Sequence, residues 1–168
     1  MKKTSPNIKG LITGIIMIVV SILIYLTRGG YDNNLQYIAY AIYVSGVMWA
    51  LYDYYQSNAE NKSFKSFFSI GFKCFIAVTF LMVLFTFIFN LVDPSLKEQM
   101  ATNYQKDLEG KGNYTPVEIN KMVQTAKDYF NIQITSRAIF GYLLIGAMVT
   151  VIGSVLFSQQ QQRREHKK

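Results

Sequence analysis

Lys62, Lys65, Ser66, Ser69 and Lys73 are the residues whose types and spacing come closest to a binding chemistry. At helical geometry they fall in one arc of roughly 100°, with Phe64, Phe67, Phe68, Phe72 and Phe75 across the helix. Ammonium groups and hydroxyl donors on one face, at the level of lipid headgroups, suit a phosphate. The ligands of that kind are an anionic phospholipid or a polyprenyl-phosphate headgroup, and each lysine gains about 1 kcal/mol beside anionic lipid. The same lysines also serve as anchors that keep their charge in water and fix orientation, a role that needs no ligand.

Other chemistry is thin. Asp53, Asp93 and Lys73 are acid-base candidates by type alone. Asp93 stands before Pro94 and reads as a helix cap, and Asp53 reads as an interfacial loop acid. The single histidine, His166, sits in a charged tail and the single cysteine, Cys74, in an apolar run. No zinc, haem or iron-sulfur ligand set can be assembled from them, and no intramolecular disulfide. No catalytic, cofactor-binding or metal-binding residues are therefore assigned. The net charge of +7 flanks apolar segments instead of interleaving with base-stacking rings, which argues against nucleic acid as a partner.

The elements that must position these residues follow from where charge is missing. Of 168 residues, 51% are apolar and 16% charged, whereas soluble domains carry about 25% charge. Mean hydropathy is only +0.17 because the polar stretch 93–134 dilutes the average. Residues 10–27, 33–52, 74–92 and 138–162 carry no charge, and a helix of about 20 apolar residues crosses the ~30 Å hydrocarbon layer. The fold expected is all-α, a polytopic membrane protein forming a single membrane domain over 1–168. Its four transmembrane helices are expected at about 10–27, 35–53, 70–92 and 137–157. An extramembrane helical hairpin over 93–134 lies between the third and fourth, and a disordered basic tail occupies 158–168. Met1-Lys2-Lys3 opens like a signal peptide, but the apolar run is long for one and ends without a small-x-small site, so it reads as a retained span.

Local signals refine this plan. Gly10-x-x-x-Gly14 permits a close helix approach, either to a second copy or within the chain, and Gly46 with Ala50 and Gly146 with Thr150 and Ser154 mark further contact faces. A short reversal at 28–34 makes the first two spans antiparallel. Eight of the twelve tyrosines lie between Tyr25 and Tyr55. Tyr31, Tyr37 and Tyr40 near one end of the second span, with Trp49, Tyr52, Tyr54 and Tyr55 near the other, form two interfacial belts; an aromatic ligand cage is the sharper alternative. The first three turns from Phe64 are expected to lie at the interface. In the hairpin, Asp93-Pro94 starts one helix, about Pro94 to Leu108, with Leu96, Met100, Tyr104 and Leu108 as its stripe and Gly110 and Gly112 as its stop. Thr115-Pro116-Val117-Glu118 starts a second, about Pro116 to Asn131, with Ile119, Val123, Ala126 and Phe130 as its stripe. The side that carries the termini holds ten of the seventeen basic residues and three of the ten acids, which places both termini in the cytoplasm and the hairpin outside.

Several of these residues together resemble a bacterial family. Ser63-Phe64-Lys65-Ser66-Phe67-Phe68-Ser69-Ile70-Gly71-Phe72-Lys73 resembles the entry to the third span of the domain-of-unknown-function 4199 family, and Leu91-Val92-Asp93-Pro94 its exit. Glu118-Ile119-Asn120-Lys121-Met122 and Tyr129-Phe130 are similar to its second loop helix. The resemblance implies four spans in the bacterial cytoplasmic (inner) membrane and supplies no activity and no catalytic residue. The expected function is a non-enzymatic accessory or interaction component of the cell envelope, with the bilayer, an anionic lipid and a membrane protein as partners. The alternative is a small oligomeric transporter or flippase-like subunit, in which Ser45, Thr79, Thr86 and Asn90 would converge on a cavity.

Overall fold

In the computed structural model of the protein, residues 5–28, 36–57 and 62–165 are described. They form five α-helices: α1 (Pro6–Arg28), α2 (Gln36–Tyr55), α3 (Phe64–Val92), α4 (Ser95–Lys111) and α5 (Pro116–Glu165). No strand occurs among the described residues. Of the reversal expected at 28–34, Arg28 ends α1 and residues 29–34, with Tyr31, lie outside them, as does His166.

Among the described residues, three helices are long and apolar enough to cross a membrane, over Pro6–Thr27, Phe64–Val92 and Pro116–Arg164. α2 matches them in direction and packing but is less apolar, because tyrosines and Asp53 replace aliphatic residues in its sequence. Contacts at the ends establish an up-down-up-down bundle of α1, α2, α3 and α5. At one end Lys9 of α1 meets Asp53 of α2, and Phe67 of α3 stacks on Phe157 of α5 at 6.0 Å. At the other end Tyr25 of α1 meets Phe89 of α3 edge-on at 5.1 Å. The ends of α1 and α5 that lie nearest the two chain termini therefore share one end of the bundle.

Small residues set how closely the helices approach. A Cβ on Gly10 would lie 2.8 Å from the Ala77 Cβ, so α1 and α3 cross nearly backbone to backbone. Gly46 receives Thr13 of α1 in the same way, and Gly71 receives Thr150 of α5. Gly10-x-x-x-Gly14 is thus spent on a contact within the chain, with Leu81 against Gly14. Met17, Tyr43, Val47, Leu51, Phe67, Cys74 and Val78 are completely enclosed between the helices.

Several sequence expectations change here. The second hairpin helix and the fourth span are one helix, and α5 runs 50 residues without a break. No glycine or proline separates Phe130 from Ala138, and polarity alone does not end a helix. For the same reason the tail stays helical to Glu165, since glutamine, arginine and glutamate are all good helix formers. α4 begins at Ser95 and continues through Gly110 to Lys111, ending where Gly112 adopts φ 64°. Its packing face is Ala101 and Leu108, whereas Met100 is exposed, because a strict four-residue repeat drifts around a 3.6-residue helix. The entry turns of α3 also pack into the bundle, with Phe67 and Gly71 buried against α5. The tyrosines divide as well. Tyr37, Trp49 and Tyr52 point outward as belts should, but Tyr43 and Tyr55 are buried.

At about 1.5 Å per residue α5 is some 75 Å long, well beyond α3. Its first half therefore leaves the bundle and pairs with α4 in a two-helix arm. Ile119 and Phe130 of α5 are buried with Ala101 and Leu108 of α4, and Lys127 pairs with Glu98. The Thr115 start signal is present as expected: Thr115 Oγ1 accepts the Glu118 N–H at 3.3 Å and Glu118 Oε2 accepts the Thr115 N–H at 2.8 Å.

Candidate functional site

The basic entry to α3 is built on a capped start. Ser63 caps α3, its hydroxyl accepting the Ser66 N–H at 3.4 Å and lying 3.1 Å from the Ser66 hydroxyl. Lys65, Ser69 and Lys73 follow at intervals of four and are all exposed, so they form one open row along the helix. Lys62 does not join them. Its ammonium turns back to donate to the Tyr55 carbonyl at 2.7 Å and lies 5.8 Å from the Tyr55 ring centre. Ser66 is half-buried with its hydroxyl engaged by Ser63. Of the five residues singled out by spacing, the structure thus groups Lys65, Ser69 and Lys73 and uses Lys62 and Ser66 to secure the turn into α3.

The same end of the bundle holds a group that spacing did not reveal. Lys9 is 4% exposed, although its charge places it among ordinary flanking lysines. Its ammonium forms an ion pair with Asp53 and sits 5.4 Å from the centre of the Trp49 ring. Trp49 and Asp53 are one helical turn apart on α2, so a single face presents both a ring and a carboxylate to α1. The signal available beforehand was this spacing, with Lys9 directly before Gly10 at the close α1–α3 approach. Asp53 is accordingly a residue of α2 and not a loop acid. Nearby, the Arg164 guanidinium lies 4.7 Å from the Tyr55 ring, which joins the end of α5 to α2.

Polar groups inside the bundle are separated from one another. The Tyr43 hydroxyl donates to the Tyr142 carbonyl at 2.9 Å and is 3.3 Å from the Thr79 hydroxyl. Asn90 donates to the Thr86 carbonyl at 2.7 Å, near the opposite end of α3. Ser45, on an exposed face, donates to the Ala41 carbonyl at 2.8 Å. The hydroxyls of Thr150 and Ser154 are buried without a partner.

Nor do the acid-base candidates meet. Asp53 is engaged by Lys9 at one end of the bundle. Asp93, at the other, accepts from the Tyr25 hydroxyl and from the Ser95 N–H at 2.9 Å, but the N-cap residue of α4 is Pro94, one residue later than expected. The Tyr25 hydrogen bond, and then the Ser95 N–H, hold its carboxyl below the usual range. No group of three His, Cys, Asp or Glu able to hold a metal ion is found among the described residues.

A groove of about 540 Å³ runs between α4 and α5 in the arm. Its walls include Lys97, Lys121 and Lys127 beside Met100, Met122 and Tyr129. Met100, Tyr104, Ala126 and Phe130, from the two apolar stripes expected in the hairpin, also line it.

Bundle, arm and end groups together define an all-α protein with helices apolar and long enough for a membrane. The family model described as "Protein of unknown function (DUF4199)" matches residues 9–159, and the chain belongs to that family. Comparison with curated proteins and with solved structures gave no match.

Proposed function

We propose that the chain is a four-span, non-enzymatic component of the bacterial inner membrane, with both termini cytoplasmic, whose terminus-side end binds anionic lipid or a membrane protein. α2 is the fourth span in this reading. Its 20 residues reach about 30 Å, and it packs against α1, α3 and α5. Ten basic residues against three acids on the terminus side support the orientation.

The observation that carries the accessory role is how the polar side chains are used. Tyr43, Asn90 and Ser45 bond across a single helix contact or to their own helix, whereas the row Lys65, Ser69 and Lys73 stands open at the end. A transporter or flippase-like subunit would need Ser45, Thr79, Thr86 and Asn90 to line one route, and the exposure of Ser45 away from the buried Thr79 and Asn90 weighs against it. Purification in mild detergent, with co-purifying lipids and proteins identified, tests the proposal. Parent protein is expected to retain an anionic lipid class that Lys65→Gln/Lys73→Gln protein loses selectively. Equal retention of all lipids by both, with no protein partner, would overturn it.

A further inference from the structure

α3 is longer than the hydrocarbon layer requires. Its 29 residues reach about 43 Å, against about 30 Å of hydrocarbon. Lys73 stands 20 residues before Asp93, or about 30 Å along a helix, and residues 74–92 carry no charge. With Asp93 at one boundary of the layer, Lys73 marks the other, and Lys65 lies about 12 Å further out. The headgroup layer is only about 5–8 Å deep on each side. Side chains on a helix also lean toward its N-terminus, so the Lys65 chain leads away from the hydrocarbon and not back toward the phosphates of ordinary lipids.

The face that carries Lys73 continues into hydrocarbon. Ile76, Phe80, Leu84 and Phe87 lie within roughly 60° of Lys73 around α3 and are all exposed, Phe80 at 69%. No polar side chain interrupts this track, since Cys74, Thr79 and Asn90 are buried in the bundle and Thr86 is turned roughly 140° from Lys73. Beside the row, the rings of Phe64, Phe68 and Phe72 stack in succession with centroids 6.0 and 6.1 Å apart, and Phe64 and Phe72 are exposed. The row therefore has a wall of flat rings along its length. No ion pair engages Lys65 or Lys73 among the described residues. Two free cations about 12 Å apart along the axis, with a hydroxyl donor midway, complement an amphiphile with one anionic group at the hydrocarbon boundary and a second standing above it.

We propose that the outward face of α3 binds a membrane lipid whose headgroup carries two phosphates, the inner one at Lys73 and the outer one at Lys65. The group that joins them lies beside Ser69 and the phenylalanine rings, and the hydrocarbon chain lies on the Ile76–Phe80–Leu84 track. This inference rests on the anionic-lipid binding proposed above for the same row.

The test is residue-resolved lysine acetylation of the full-length protein in nanodiscs, which leave both faces open to the reagent. Discs of phosphatidylcholine alone are compared with discs containing phosphatidylglycerol or phosphatidylinositol 4-phosphate, the two anionic discs being matched in total charge. The phosphate monoester of the last stands across the inositol ring from its phosphodiester. Lys73 is expected to react about fivefold more slowly in both anionic discs, the equivalent of about 1 kcal/mol, and Lys65 about fivefold more slowly with phosphatidylinositol 4-phosphate only. Ser69→Glu, at an exposed position, should abolish the Lys65 effect, and the footprint of the parent protein decides even if that variant fails to fold. Equal slowing of Lys65 with phosphatidylglycerol would reduce the effect to surface potential, and no slowing of Lys65 in either would leave a lipid with a single phosphate; each result overturns the two-phosphate headgroup. Protection of Lys65 by soluble inositol bisphosphate or by an acidic peptide in phosphatidylcholine discs would overturn a lipid as the occupant. Absence of any slowing at Lys73 would instead overturn the anionic-lipid binding on which the inference rests.

Discussion

Replacing Asp53 by alanine isolates the ion pair that joins α1 to α2. The Lys9 side chain is 5% exposed and that of Asp53 36%, so the two partners are not equivalent. Removing the acid leaves an enclosed ammonium with only the Trp49 ring, which offers about 0.5–2 kcal/mol. Breaking a buried pair in this way costs about 3–5 kcal/mol when both groups are enclosed. Because one third of Asp53 already faces outward, about 2–3 kcal/mol is expected for Asp53→Ala after that discount. Lys9→Met leaves the better-solvated partner behind and should cost about 1 kcal/mol. At about 2–4 °C per kcal/mol for a chain of this size, the melting points fall by about 5–10 °C and about 2–4 °C. The double variant Lys9→Met/Asp53→Ala should be more stable than Asp53→Ala alone, since no buried charge is orphaned. Cys74, the single cysteine and fully buried, makes the assay direct: a thiol-reactive fluorophore reports unfolding in detergent as the thiol becomes accessible. Equal losses for the two single variants, with no recovery in the double, would refute the reasoning.

Three further outcomes follow from other contacts. Gly71→Leu should lower stability by about 1–3 kcal/mol, because even a Cβ at Gly71 would lie 2.6 Å from Thr150 Cγ2, and an unchanged melting point would show that α3 and α5 do not cross there. Thr115→Ala should cost on the order of 1 kcal/mol at the start of α5, visible as faster amide exchange near Glu118 while the bundle stays protected. Glu118 should titrate below the ordinary carboxylate range, because the Thr115 N–H and then its hydroxyl stabilise the ionised form. The cap then contributes fully above the unfolded value of about 4.3 and is lost as pH falls through the depressed folded value, which carboxyl ¹³C NMR would follow. An unshifted midpoint would mean that the capping box is open in solution.

Much of the bundle was legible because its signals are local or periodic. Charge-free stretches marked the helices, and small residues four apart marked their contacts, as at Gly46 and at Thr150 against Gly71. The cap at Thr115 was readable from single residue types. What escaped depended on partners distant in sequence. Lys9 looks like any flanking lysine until Asp53, 44 residues on, arrives beside it. Continuity of α5 through the polar stretch near Asn131 was hidden because composition changes there while helix propensity does not. Lys62 shared the arc of Lys65 and Lys73 by angle, yet it precedes the first turn of α3, where the chain can turn its side chain toward Tyr55 instead.

The central claim, that the α4–α5 arm and the two chain ends lie on opposite sides of a membrane, is tested most directly by single-cysteine accessibility in intact cells. Asn113, in the turn between α4 and α5, and Gln160, near the end of α5, are both exposed and suit Cys substitution in a Cys74→Ala background. A membrane-impermeant maleimide is expected to label Asn113→Cys from outside and to reach Gln160→Cys only after permeabilisation. Labelling of Gln160→Cys from outside with Asn113→Cys protected would reverse the orientation, and labelling of both would contradict the arrangement itself.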